Sequence, residues 1–155
     1  NVANTYYNWD THAVNHDNFI DMRNRLPIYD QALTALIEDL HDRGLTKKVL
    51  LVVTGEFGRS PRISISNGPK GRRYGREHWP GAMSVLVVGG GMRHGQVVGS
   101  TTSKGEYPED RPLTPADLWA TVYHHLGIDQ DATIPDHTGR PQFLLPSGEP
   151  IRELI

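Results

Sequence analysis

Lys48-Val49-Leu50-Leu51-Val52-Val53-Thr54 is the stretch on which the reading of the fold turns. It is short, nearly unbroken in apolar residues, rich in β-branched side chains and closed by Gly55. A strand with one wet face alternates apolar and polar residues. This one does not, so it predicts a strand buried on both faces, as in a parallel sheet. Downstream, Ser84-Val85-Leu86-Val87-Val88 repeats the pattern and is stopped by Gly89-Gly90-Gly91. Val97-Val98 predicts a short edge strand. Upstream, residues 26–43 predict a helix. Pro27 suits a first-turn position, Leu33, Leu36, Ile37 and Leu40 share one face, and Gly44 is a natural stop. A second helix starts at Thr114, with Thr114 as N-cap, Pro115 in the first turn and Asp117 completing a capping box. Leu118, Val122 and Leu126 give its apolar stripe, and Gly127 ends it. Between the two apolar runs, residues 55–80 read as a long Gly/Pro/Ser/Arg-rich loop, and residues 128–155 as a Pro-rich tail. Helix alternating with buried strand predicts the α/β class, with a mainly parallel sheet and flanking helices. Only two or three strands are convincing and the chain opens at Asn1, not Met. Residues 1–155 are therefore expected to be a single α/β fragment, the C-terminal part of a larger domain.

The 155 residues give room for one real core. With 37% apolar and 22% charged residues the chain reads as globular rather than disordered. A formal net charge of -2 provides no basic excess to neutralise phosphates, so a nucleic-acid partner is not expected. The one basic cluster, Lys70-Gly71-Arg72-Arg73-Tyr74-Gly75-Arg76, reads either as a solvated mobile loop or as a grip on an anionic substrate. The absence of cysteine excludes disulfides, thiolate zinc sites and a cysteine nucleophile. No apolar run approaches the roughly 20 residues of a membrane span.

Three polar clusters carry chemistry, and sites in open α/β sheets form beyond the carboxyl ends of the strands. Trp9-Asp10-Thr11-His12-Ala13-Val14-Asn15-His16-Asp17-Asn18 packs two carboxylates and two imidazoles into eight residues. On extended backbone Asp10 and His12 point to the same side; on a helix His12 and His16 share a face. Either geometry can hold one divalent ion, and the alternative is a polar loop that caps the following helix. Gly55-Glu56-Phe57-Gly58-Arg59-Ser60-Pro61 directly follows the first strand. There Glu56 is the first charge beyond the strand and Arg59 could grip an oxyanion in a bidentate way, or the two could pair to order the turn. Gly75-Arg76-Glu77-His78-Trp79-Pro80 places a histidine beside an acid, which suits a metal ligand, a general base or a structural hydrogen bond. Asp136-His137-Thr138-Gly139-Arg140 is a weaker fourth cluster, and His124-His125 suit surface or packing roles. The triple glycine matches neither dinucleotide nor P-loop spacing, so it reads as a turn with close backbone packing. No Gly-x-Ser-x-Gly elbow supports a serine hydrolase of that type.

In order along the chain, Trp9-Asp10-Thr11-His12, Glu38-Asp39-Leu40, Arg43-Gly44-Leu45, Gly55-Glu56-Phe57-Gly58-Arg59, Gly75-Arg76-Glu77-His78-Trp79-Pro80, Gly89-Gly90-Gly91 and Asp117-Leu118-Trp119-Ala120-Thr121 form a recognisable set. The chain resembles the C-terminal portion of the bacterial domain-of-unknown-function 1501 family. That family in turn resembles the alkaline phosphatase and sulfatase superfamily. The resemblance implies an alkaline-phosphatase-like α/β fold and divalent-metal chemistry on phosphate or sulfate esters, with metal ligands at Asp10, His12, Glu56 and His78. Arg59 would bind the anionic group and Glu77 would orient His78. The superfamily's nucleophile and first metal-binding Asp would lie N-terminal to this chain. Phe57 stands where the superfamily often has a ligating histidine, and Glu77 where the family usually has Asp.

The leading expectation is therefore a metal-dependent hydrolase of phosphate or sulfate esters. It would use one or two divalent ions (Zn, Ca, Mg or Mn) on an anionic small-molecule or carbohydrate ester, in an exported or periplasmic bacterial protein. The rival is a non-catalytic binder of carbohydrate or anionic polymer on the same scaffold, which the phenylalanine at position 57 favours. In a third reading each acid/histidine pair only locks its own loop.

Overall fold

A computed structural model describes residues 9–14, 16–69 and 71–155. They form two helices, α1 (Asn18–Asp42) and α2 (Pro115–Leu126), and ten short strands. In chain order these are β1 (Leu50–Val53), β2 (Gly58–Arg59), β3 (Ser64–Gly68), β4 (Gly71–Gly75), β5 (His78–Trp79), β6 (Leu86–Gly89), β7 (Ser100–Thr101), β8 (Pro108–Asp110), β9 (Thr133–Pro135) and β10 (Pro141–Phe143). Every pairing among the described residues is antiparallel and two-stranded.

This overturns the expected parallel, alkaline-phosphatase-like α/β sheet. The two apolar runs do pair, as β1 with β6, but Leu50 faces Gly89 and Val53 faces Leu86, so they run in opposite directions. A parallel pair needs a crossover, usually a helix, to bring the chain back to the same end. The described residues between β1 and β6 contain no helix; they pair as β2 with β5 and, inside that, β3 with β4. Neither strand is buried on both faces: all of β1 is half-buried and Leu86 is 42% exposed. The span expected as a long loop thus holds β2 to β5, and Gly71–Gly75 of the basic cluster is strand β4. Lys70 lies outside the described residues. The edge strand expected at Val97-Val98 occurs instead at Ser100–Thr101.

The chain divides into two compact units. The first comprises Asn1–Asp39, Gly55–Ser84 and Thr102–Tyr107. Most of α1 belongs to it. The helix starts well before the expected position because Asp17 caps it, its Oδ1 accepting from the N–H groups of Phe19 and Ile20, each at 3.0 Å. Pro27 consequently sits inside the helix, where Arg23's carbonyl loses its usual donor. The buried residues here are Thr11, Ala13, Asp21 and Gly75.

The second unit comprises Leu40–Thr54, Val85–Thr101 and Pro108–Ile155, with Met92, Ala120, Thr121 and Ile151 buried. Gly89 has φ 84°, and a Cβ there would lie 2.2 Å from the Val49 carbonyl oxygen, so the triple glycine is a turn in close backbone packing. Helix α2 has the expected ends: Thr114 and Asp117 form a reciprocal capping box and Gly127 closes the helix in the left-handed conformation. Asp117 also accepts from the Glu149 N–H at 3.0 Å. That bond, then those from Thr114, hold the Asp117 carboxyl below its ordinary value. A depressed carboxylate contributes stability above its unfolded pKa and loses it as pH falls through the folded one. Denaturant midpoints measured between about pH 5 and about pH 2 should therefore fall less steeply for Asp117→Asn than for the natural chain.

Candidate metal centre

In the first unit, the register of β2 and β5 sets Arg59 opposite His78. The 9–13 segment is stitched to the start of β5 by the Arg76 N–H, which donates to the Thr11 carbonyl at 3.2 Å. It sits against β4 without a spacer: a Cβ on Gly75 would lie 1.9 Å from the Ala13 nitrogen. These contacts bring Asp10 and His12 beside His78, although 66 positions separate the two histidines.

Three donor atoms converge. His12 Nε2 lies 2.7 Å from Asp10 Oδ1, His78 Nε2 lies 2.8 Å from the same oxygen, and the two imidazole nitrogens are 3.0 Å apart. Of the two geometries open to the first cluster, the extended one places Asp10 and His12 together. His16 turns away, its Nδ1 3.6 Å from Asp21 Oδ2 in α1, and Asp17 is the helix cap. Asp17 thus caps the helix, while Asp10 and His12 lie together beside His78.

Glu77 contacts His12, not His78 as the resemblance implied. Its Oε2 bonds His12 Nδ1, and its Oε1 accepts from the Ser64 hydroxyl at 2.8 Å. The Ser64 bond, then the His12 bond, hold the Glu77 carboxyl below its ordinary value, which keeps it an acceptor. Nδ1 of His12 therefore donates, and in the tautomer with one proton Nε2 carries the lone pair. That lone pair faces the Asp10 carboxylate. Bonding to His78, against the opposing effect of burial, then bonding to Arg59 and the nearby positive charge hold the Asp10 carboxyl down at about 2. Two acceptors at 2.7 Å repel unless a proton or a cation lies between them.

Arg59 does not present a free fork to an anion. Its guanidinium donates to Asp10 Oδ1 at 2.9 Å, to the Trp9 carbonyl at 3.0 Å and to the Arg76 carbonyl at 3.2 Å. Its role here is to hold Asp10. Phe57 stacks on His78, with ring centroids 4.2 Å apart, and so supports a donor instead of being one. Glu56 is exposed in the bend after β1, outside the three-donor group and without a hydrogen-bond or ion-pair partner among the described residues. The fourth cluster is a hairpin turn: Asp136 Oδ1 accepts from the N–H groups of Thr138 and Arg140 between β9 and β10. His125 packs near Gly90. Sequence reading missed Ser64 and the contact of Gly75 with the His12 backbone. Only the small residue at position 75, two positions before the acid, signalled the latter.

Two imidazoles and one carboxylate with an open side suit a catalytic zinc ion or another first-row metal better than calcium or magnesium, which favour oxygen-only shells. A protein of unknown function (DUF1501) is the description of the family whose model matches residues 2–155. The chain belongs to that family. No curated protein and no solved structure matches it. In this DUF1501 chain the Glu77 carboxylate accepts from the far nitrogen of His12 and so fixes its ring. Glu77→Gln should weaken divalent-ion affinity about 10–100-fold, because an outer partner fixes the ligand's tautomer and basicity. Competition with a chromophoric chelator measures it.

Proposed function

We infer that the chain holds a divalent ion at Asp10, His12 and His78 and takes part in hydrolysis of phosphate or sulfate esters. The observation that carries this reading is the convergence of those three donor atoms within 4.8 Å of one another, with His12 Nε2 aimed at a carboxylate. The bound ion would supply Lewis acidity toward an ester oxygen. Asp10 and His78 provide donors on an accessible side of the site, His78 being 49% exposed. Glu77 fixes the ring of His12 and keeps its proton at Nδ1, Arg59 keeps Asp10 ionised and aimed, and Phe57 limits the tilt of His78. The ester chemistry comes from the likeness of the ordered acid-and-histidine motifs to those of the alkaline phosphatase and sulfatase superfamily; the antiparallel fold lends it nothing. The exported location rests instead on the resemblance to the 1501 family, and no helix among the described residues is long and apolar enough to cross a membrane.

The commitment of Arg59 to Asp10 favours a second reading, a non-catalytic binder of carbohydrate or anionic polymer, because the expected anion grip is absent from that position. Metal-loaded protein assayed against aryl phosphates and aryl sulfates separates the two. Turnover lost on chelation and restored by added ion supports the hydrolase. Full metal occupancy with no turnover of either ester class contradicts it.

A further inference from the structure

A cleft of about 490 Å³ is lined by Ser60, Arg62, Ile63, Ser64, Ile65 and Glu77, all within the first unit. That volume is in the range, roughly 300–1,000 Å³, of sites for single small molecules. Glu77 joins the cleft to the three donors, with one oxygen on His12 and the other on Ser64. The nearby arginines differ in availability. Arg59 is held by Asp10 and two carbonyls, and Arg76 donates to the carbonyls of Ser60 and Arg59. Arg62 is exposed, and its guanidinium has no hydrogen-bond or ion-pair partner among the described residues. Its backbone is nevertheless fixed, because the Ser60 hydroxyl bonds both its N–H and its carbonyl.

We propose that this cleft binds a sugar bearing a carboxylate or a sulfate, with Arg62 pairing with the anionic group and Glu77 and Ser64 taking the hydroxyls. The lining excludes simpler ligands. A bare sulfate would meet the Glu77 carboxylate with no hydroxyl to offer it. A purely apolar ligand would leave the Arg62 guanidinium without a partner. Ile63 and Ile65, 45% and 49% exposed, offer an apolar surface to the C–H face of a sugar ring. The inference rests on the hydrolase reading only in calling this ligand part of the substrate; binding in the cleft needs no metal.

Calorimetric titration with glucuronic acid, glucose 6-sulfate, glucose and inorganic sulfate, each in EDTA and with added divalent ion, tests it. The two anionic sugars should bind in both conditions and more tightly than glucose or sulfate. Arg62→Ala should weaken them about tenfold to a hundredfold, as expected for losing a hydrogen-bonded charge pair, and Arg62→Lys should recover part of the loss. Equal affinity for glucose and glucuronic acid, no binding of either anionic sugar, or an unchanged affinity in Arg62→Ala overturns the proposal. Binding that appears only with the ion also overturns it, since the anion would then sit at the metal. Binding in EDTA by a chain that takes up no ion supports the cleft while refuting the metal reading.

Discussion

His12→Ala lowers divalent-ion affinity by more than about a hundredfold, since loss of an outer partner alone costs about 10–100-fold and this change removes a donor outright. Two donors remain, Asp10 and His78, and the Asp10 carboxylate keeps its bonds to Arg59 and His78. The substitution also frees Glu77, which keeps Ser64 but loses the imidazole it orients. The effect should be local. His12 is half-buried, its ring contacts are with Asp10, Glu77 and His78, and the backbone bonds of its segment do not involve the side chain. Far-UV circular dichroism should be unchanged while the competition titration loses its tight phase. Equal ion affinity in the natural chain and in His12→Ala would remove His12 from the centre. If instead the variant unfolds, the acid/histidine pairs are locking the loop, as the structural alternative holds.

Gly75→Ala is expected to be one of the two most damaging single methyls in the first unit, with Gly58→Ala the other. The added carbon would lie 1.9 Å from the Ala13 nitrogen, 2.5 Å from the His12 carbonyl carbon and 2.8 Å from the Ala13 Cα. All three are backbone atoms, so no side-chain rotation relieves the clash, and either β4 or the 9–13 segment must move. Overpacking of a site that cannot yield costs at least about 3 kcal/mol, the upper end of the usual range. Moving the 9–13 segment also strains the bond from the Arg76 N–H to the Thr11 carbonyl, which carries His12 away from His78. Stability by denaturant titration and ion affinity should therefore fall together. Gly71→Ala, in the same strand with open space around it but φ 91°, should lower stability through backbone strain while sparing ion affinity. Ion affinity retained in a destabilised Gly75→Ala chain would show that the close approach does not position the donors.

The local chemistry of the sequence was more legible than its topology. The α2 boundaries followed from Thr114, Pro115, Asp117 and Gly127, because capping depends on neighbours within one turn. The start of α1 was misplaced because Pro27 looked like a first-turn residue, whereas Asp17, ten positions earlier, caps the helix and the proline is carried inside it. The two apolar runs were found, but their direction was not. Continuous apolarity suits a doubly buried parallel strand, and it is equally compatible with a short antiparallel pair whose connection folds on itself. A signal lay between them: Ile63-Ser64-Ile65-Ser66 alternates with period two, as a strand does, although Asn67-Gly68 is not the turn, since the two residues pair with Arg72 and Gly71. Asp10, His12 and His78 were legible as donor types, and the spacing of Asp10 and His12 placed them on one side. The partner of Glu77 was not legible, since the choice between His12 and His78 is made by the β2–β5 register and the Gly75 contact. Arg59 was assigned to an anion because sequence shows a charge but not its occupancy; three acceptors already hold it.

Anomalous diffraction from crystals of the chain grown with manganese or zinc tests the central claim most directly. The account predicts one strong peak per chain, about 2.0–2.2 Å from His12 Nε2, His78 Nε2 and an Asp10 carboxylate oxygen. The contradicting result is an ion bound elsewhere, or none at all, with His12 bridging Glu77 and Asp10 as a doubly protonated ring.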